Sequence, residues 1–232
     1  MRADSLDDVA LLVARELRAR GIRFCLTGMY AGLHWLGKAA HRMTFDVDFS
    51  VWAPMSGLRG VVDRLSRNGW ELTTDLPSQI SLRAKDTMFR IDLLPARFDP
   101  DRGREEENLN SFFQTGYLRA ARKRVGRISV RVARPEEIIV LKLLLGRPTK
   151  DDQDVRMLLR LKAIDRAHLR RQARLLGLES KLIRAVESLA SATGPEDEVT
   201  PDLSARARRL PRTPASSRRR RPRSASSARS PG

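Results

Sequence analysis

The chain is poor in the residues that would settle its class at a glance. It has one cysteine and three histidines in 232 residues, aromatics make up 5% of it, and acidic side chains are outnumbered 28 to 45 by lysine and arginine. A single thiol, Cys25, excludes an internal disulfide framework. Cys25 lies in the apolar run IRFCL, which suits a buried structural thiol better than a reactive one. His34 and His41 have no nearby cysteine or histidine at metal-ligand spacing, so a zinc site is not expected. No apolar run approaches the ~18 residues of a membrane-spanning helix. The segment MRADSLDDVALLVARELRAR is acidic and amphipathic, without a signal peptide's apolar centre. These absences point to a cytoplasmic globular protein.

What is present is positive charge, unevenly placed. The net charge is +17, of which the stretch from Gly194 onward carries +6, from ten arginines and four acids. The preceding residues keep +11, so the body is basic without its tail, which suits polyanionic partners such as nucleotides or RNA. A compositional habit of the genome accounts for the same numbers. After Ala192 hydrophobic periodicity vanishes, serine, proline and arginine dominate, and RRRRPR appears at Arg218–Arg223. Such a segment cannot bury enough apolar surface to offset chain entropy, so disorder is expected over 193–232.

The earlier chain alternates helical and strand patterns. Ser5 is a candidate N-cap, with Val9, Leu12, Val13 and Leu17 at helical spacing and Gly21 as a stop. Ile22–Leu26 reads as a strand, Thr27-Gly28 as a turn, and Tyr30–Leu36 as a helix. Met55–Asn68 is amphipathic, with Leu58, Val61, Val62 and Leu65 on one stripe. Trp70–Thr73, Gln79–Ala84 and Thr87–Leu94 read as strands, and Phe98–Asn110 as an irregular charged loop. Ala120–Arg127 carries four basic residues in eight, a solvated face or the border of an acceptor site, before the strand Ile128–Val132. Pro135-Glu136-Glu137 opens a helix with proline and acids at its positive end. Helices follow from Lys150, over Asp165–Leu176 and over Ser180–Leu189. The expected fold is α/β, a small mixed or antiparallel sheet with flanking helices over 1–134, then a helical portion over 135–192.

Chemistry concentrates in Leu26–Val51. In a strand, successive side chains alternate faces, so Asp46 and Asp48 point one way, about 7 Å apart at Cα, while Phe45, Val47 and Phe49 point the other. Like charges held together call for a cation, and carboxylate oxygens favour magnesium or manganese over zinc. Asp92, a lone acid in the apolar run IDLL, joins them if its strand pairs with theirs; otherwise it is a solvated strand residue. Three such carboxylates can hold two metal ions roughly 3.5–4 Å apart on a nucleoside triphosphate. Gly28 permits close approach of a ligand to the helix N-terminus behind it, or simply makes a tight turn.

In the order Thr27-Gly28, Ala31, Arg42-x-Thr44, Asp46-x-Asp48, Asp92, and Pro135-Glu-Glu-Ile-Ile-x-x-Lys142 with Arg147 and Asp154, the chain resembles the DNA polymerase beta-type nucleotidyltransferases. The nearest branch is the bacterial minimal one of abortive-infection and toxin enzymes. The resemblance spans about Arg23 to Leu159, with Met29 standing where members usually carry Gly, Ser or Thr. It implies transfer of a nucleoside monophosphate from a triphosphate to an acceptor hydroxyl of RNA (tRNA included), protein or a small molecule. Asp46, Asp48 and Asp92 would be the catalytic metal ligands, for Mg2+ or Mn2+. Thr27, Gly28, Arg42, Thr44 and Lys142 would bind the nucleotide, and a cognate antitoxin would be the partner. On the residues alone, Arg42 could be a surface cation and Lys142 could snorkel to solvent. A non-catalytic nucleotide- or RNA-binding member of the same fold is the second reading, and a basic DNA-binding protein ranks last, for want of a helix-turn-helix or finger pattern.

Overall fold

The computed structural model describes residues 3–37, 43–76, 78–95 and 104–191, excepting the side chains of 104–106. The expected disorder of the Arg-rich tail and the reading of Arg42 and His41 fall outside these residues.

The chain opens with α1 (Leu6–Ala19). Ser5 caps it: its hydroxyl accepts from the Asp8 amide, and Asp7 and Asp8 sit in the positive first turn. β1 (Arg23–Thr27) leads into α2 (Gly28–Leu36), then β2 (Asp46–Trp52) and α3 (Met55–Arg67), which buries Leu58, Val61 and Leu65. β3 (Trp70–Leu76), β4 (Gln79–Ala84) and β5 (Arg90–Pro95) follow. After α4 (Arg104–Arg119) come β6 (Ala121–Val125), β7 (Ile128–Val132) and the helices α5 (Pro135–Leu145), α6 (Lys150–Leu159), α7 (Arg166–Leu175) and α8 (Glu179–Ser191).

Seven strands make one mixed sheet in the order β3-β4-β5-β2-β1-β7-β6. β2 lies at its centre, antiparallel to β1 and parallel to β5; β1 and β7 are also parallel. Central strands must satisfy both backbone edges and both faces, and the alternation delivers this for β2. Val47, Phe49 and Val51 are buried within the core, while Asp46 and Asp48 take the other face, half-buried. Phe49 packs edge-on against Phe24 of β1, and burial of such a ring contributes a few kcal/mol.

Two segments differ from their sequence patterns. The charged stretch read as a loop to Asn110 is helical from Arg104, because Leu109, Phe112, Phe113 and Gly116 recur at helical spacing and bury Phe112 and Phe113. The basic run from Ala120 is a strand, β6, paired along its length with β7. It forms the sheet's edge, where exposed Arg122 and Arg124 discourage pairing with another chain. Lys123, on the opposite face, lies 3.6 Å from the centre of the Trp35 ring.

Candidate active site

Register places the chemistry. Thr27 of β1 is paired with Asp48 of β2, Asp48 with Asp92 of β5, and Asp92 with Ser81 of β4. Four polar side chains therefore stand in one row across the sheet, on the face opposite Val47 and Phe49. Asp46 and Arg90 are paired one step further along the same face. The pairing expected between the strands of Asp46/Asp48 and Asp92 is thus present, and it is parallel.

Thr27 and Asp92 are 1% and 4% exposed, yet Thr27 Oγ1 and Asp92 Oδ1 have no hydrogen-bond partner. Both residues line a cleft of about 210 Å3. Unpaired polar atoms are costly when buried, and both of these belong to residues that line one cleft, where a ligand could complete them. Gly28 starts α2 at φ +65, and a Cβ there would overlap the Asp48 carboxylate. Both its backbone angle and its contact demand glycine. The residue also puts the N-terminus of a nine-residue helix beside the acids, where backbone N–H groups and the helix dipole favour an anion. Met29 does not enter the cleft; it is buried, with its sulfur packed beside Gly32.

Crowded carboxylates set the electrostatics. Burial, then the charges of Asp92 and Asp46, push the Asp48 carboxyl up from 3.8 to about 7, against the pull of Lys142 and Arg90. Arg90 lies between the flanking acids, its Nε 3.4 Å from Asp46 Oδ1 and an Nη 3.4 Å from Asp92 Oδ2. Lys150 Nζ is 3.5 Å from Asp46 Oδ2. The three carboxylates share a face without closing on one point, and no group of three or more His, Cys, Asp or Glu among the described residues is arranged to hold a metal ion. The donor set nevertheless fits magnesium or manganese: hard oxygens from neighbouring strands, with Asp92 Oδ1 buried and unpaired.

Thr44 precedes β2, and its hydroxyl accepts from the Asp46 amide at 3.4 Å, steadying the strand entry. It lines a neighbouring open hollow with Met43, Asp46, Arg83, Met88, Arg90 and Lys150. Lys142 borders the cleft from α5 but does not snorkel. It is 5% exposed, and its Nζ lies 3.0 Å from Asp151 Oδ1 and 2.8 Å from Asp154 Oδ2. Those acids are three apart on α6, hence on one helix face. Arg147 also grips Asp151, through its backbone amide and its guanidinium. Burial pushes the Asp151 carboxyl up, but the hydrogen bonds from Arg147 and Lys142 outweigh it and hold the group below its ordinary value.

The sequence patterns passed over Arg90 and Lys150 as site residues. Arg90 is two residues before Asp92 in a strand, a spacing that places both on one face, so its signal was there. The cleft's other wall is apolar, with Leu94 and Pro95 of β5, Leu109 and Phe113 of α4, and Leu141 and Leu144 of α5.

A mixed sheet flanked by helices, with this row at its centre, is a fold of the nucleotidyltransferase type. The crystal structure of an antigenic nucleotidyltransferase-like protein from Paracoccidioides brasiliensis matches it with a TM-score of 0.52 at 18% identity, over 83% of this chain and 93% of that one. The solution structure of the antibiotic-resistance factor ANT(2'')-Ia matches with a TM-score of 0.50 at 15% identity, over 80% of this chain and 97% of that one. At such identities the likeness is one of fold. No protein-family model and no curated protein matches the chain. No helix among the described residues is long and apolar enough to cross a membrane.

Proposed function

We propose that the protein is a metal-dependent nucleotidyltransferase that moves a nucleoside monophosphate from a nucleoside triphosphate to an acceptor hydroxyl and releases pyrophosphate. The observation that carries this reading is the row of Thr27, Asp48 and Asp92 lining one cleft beside Gly28, with Thr27 Oγ1 and Asp92 Oδ1 buried and unpartnered. The fold shared with nucleotidyltransferases supports it.

The acceptor oxygen attacks the α-phosphorus, the bond from that phosphorus to the bridging oxygen breaks, and the electron pair leaves with pyrophosphate. Asp46, Asp48 and Asp92 would hold magnesium or manganese, which when bound polarises the α-phosphate and neutralises the leaving group. Asp92 accepts the acceptor's proton, its buried Oδ1 being unpartnered. The amides opening α2 and the Thr27 hydroxyl bind phosphate oxygens in the cleft beside the Asp48 carboxylate. Arg147, bordering the cleft and half exposed, supplies positive charge to the triphosphate. Lys142, braced by Asp151 and Asp154, holds α5 and α6 together beside the cleft and attracts the phosphates from behind. The apolar wall excludes water from the reacting atoms. Cations around Asp46 (Arg83, Arg90 and Lys150) favour an anionic acceptor such as tRNA or another RNA over a polycationic one. A cognate regulator is the partner a toxin-type enzyme would have, and co-purification from cells tests it.

The experiment is incubation with labelled nucleoside triphosphates, magnesium and total RNA or protein. The wild type labels one class of acceptor and Asp46→Ala does not. No transfer to either class, or unchanged transfer by Asp46→Ala, defeats the proposal.

A further inference from the structure

Arg90 lies between two of the three carboxylates that would hold a metal ion. Its guanidinium reaches Asp46 on one side and Asp92 on the other, each at 3.4 Å. Both distances exceed the ~2.7–2.9 Å of a charge-assisted hydrogen bond. Its Nε is buried without a hydrogen-bond partner, although the side chain as a whole is 39% exposed. The arginine therefore compensates charge without being locked into a fork. It also borders two spaces at once, the cleft containing Thr27, Gly28, Asp48 and Asp92, and the hollow containing Thr44, Asp46 and Lys150.

We propose that Arg90 is an exchangeable counter-ion. It holds Asp46 and Asp92 in the absence of metal, competes with a divalent cation for the same two carboxylates, and on release turns to a phosphate of the incoming triphosphate. This inference rests on the nucleotidyltransferase reading and assigns a positioning role that reading does not need. A divalent ion arriving alone must strip Arg90 from its carboxylates and leave the guanidinium without an anion. An ion arriving with a triphosphate brings the replacement anion with it. Metal and nucleotide thus bind cooperatively, and Arg90 is the source of the coupling. Lys150, at 3.5 Å from the other Asp46 oxygen, keeps part of the charge balance when Arg90 leaves.

The test is calorimetric titration of Mn2+ into the wild type, Arg90→Gln and Arg90→Lys, first alone and then with a non-hydrolysable triphosphate analogue. Removing a partly exposed charge from two acids should tighten Mn2+ binding without nucleotide roughly tenfold in Arg90→Gln. The same variant should lose most of the gain that nucleotide gives the wild type. Arg90→Lys, which keeps the charge, should resemble the wild type and shows that the effect is electrostatic. Urea midpoints of the three proteins without metal confirm that each is folded. Mn2+ binding that is unchanged or weaker in Arg90→Gln, or coupling that survives there, overturns this inference and leaves the functional reading standing. Mn2+ that binds none of the three proteins even with the analogue overturns the functional reading, and this inference with it.

Discussion

The metal-free site should weaken the fold as pH rises, and Asp48 is where that can be measured. Its carboxyl is raised from 3.8 to about 7 by burial first and then by Asp92 and Asp46. The folded protein therefore holds a proton that the unfolded chain releases between those two values. Stability follows the difference in bound protons, so this group costs nothing below pH 3.8. Its penalty grows as pH climbs to 7 and is complete above it. Carried by Asp48 alone, the rise corresponds to about 4 kcal/mol at pH 8. The side chain is partly solvated, which reduces the expected cost to about 2 kcal/mol. Asp48→Asn keeps the shape and removes the charge. In urea unfolding with a chelator, the variant should match the wild type near pH 4 and exceed it by about 2 kcal/mol at pH 8, with a flatter profile between. Manganese should restore the wild type at pH 8 and leave the variant unmoved. Equal stability at pH 8, or the same slope in both proteins, refutes the reasoning.

Other perturbations read other parts of the account. Gly28→Ala puts a Cβ into the Asp48 carboxylate at a positive φ, so urea unfolding should show a loss of about 2 kcal/mol or more, with transfer activity abolished. Lys142→Met leaves Asp151 and Asp154 buried without their shared cation, and the same assay should show a loss of about 3–5 kcal/mol. Cys25 is 3% exposed and its thiol is pushed up to about 12, by burial first and then by the nearby Glu137 charge. Iodoacetamide at pH 8 should leave the native protein unlabelled by mass spectrometry and alkylate it once in urea.

The centre of the site was legible because strand alternation is a strict period. Asp46 and Asp48 must share a face, and a lone acid in IDLL must face something polar. The turn at Thr27-Gly28 was equally readable from its position between a strand and a helix. Long-range partners were not. Glu136 and Glu137 suit a helix N-terminus, and nothing in that pattern shows that both are buried. Glu137 meets His168 at 2.8 Å, and Glu136 accepts from the Asp165 amide, contacts made by the entry to α7 about 30 residues on. Lys142 escaped in the same way, since nothing local says that α6 will bring Asp151 and Asp154 to it. The start of α4 was hidden by its charged first turns, although the apolar spacing from Leu109 to Gly116 carried the helix. Strand spacing alone puts Arg90 on the face of Asp92, but its approach to Asp46 depends on the pairing register of β2 and β5.

The central claim is that Asp48 and Asp92, beside Gly28 and Thr27, receive a metal-bound triphosphate. Crystals grown with manganese and a non-hydrolysable triphosphate test it through the anomalous scattering of the metal. A manganese peak about 2.1 Å from carboxylate oxygens of both residues, with phosphates against the start of α2, is the predicted result. A triphosphate bound elsewhere, with no manganese at those two carboxylates, would contradict it.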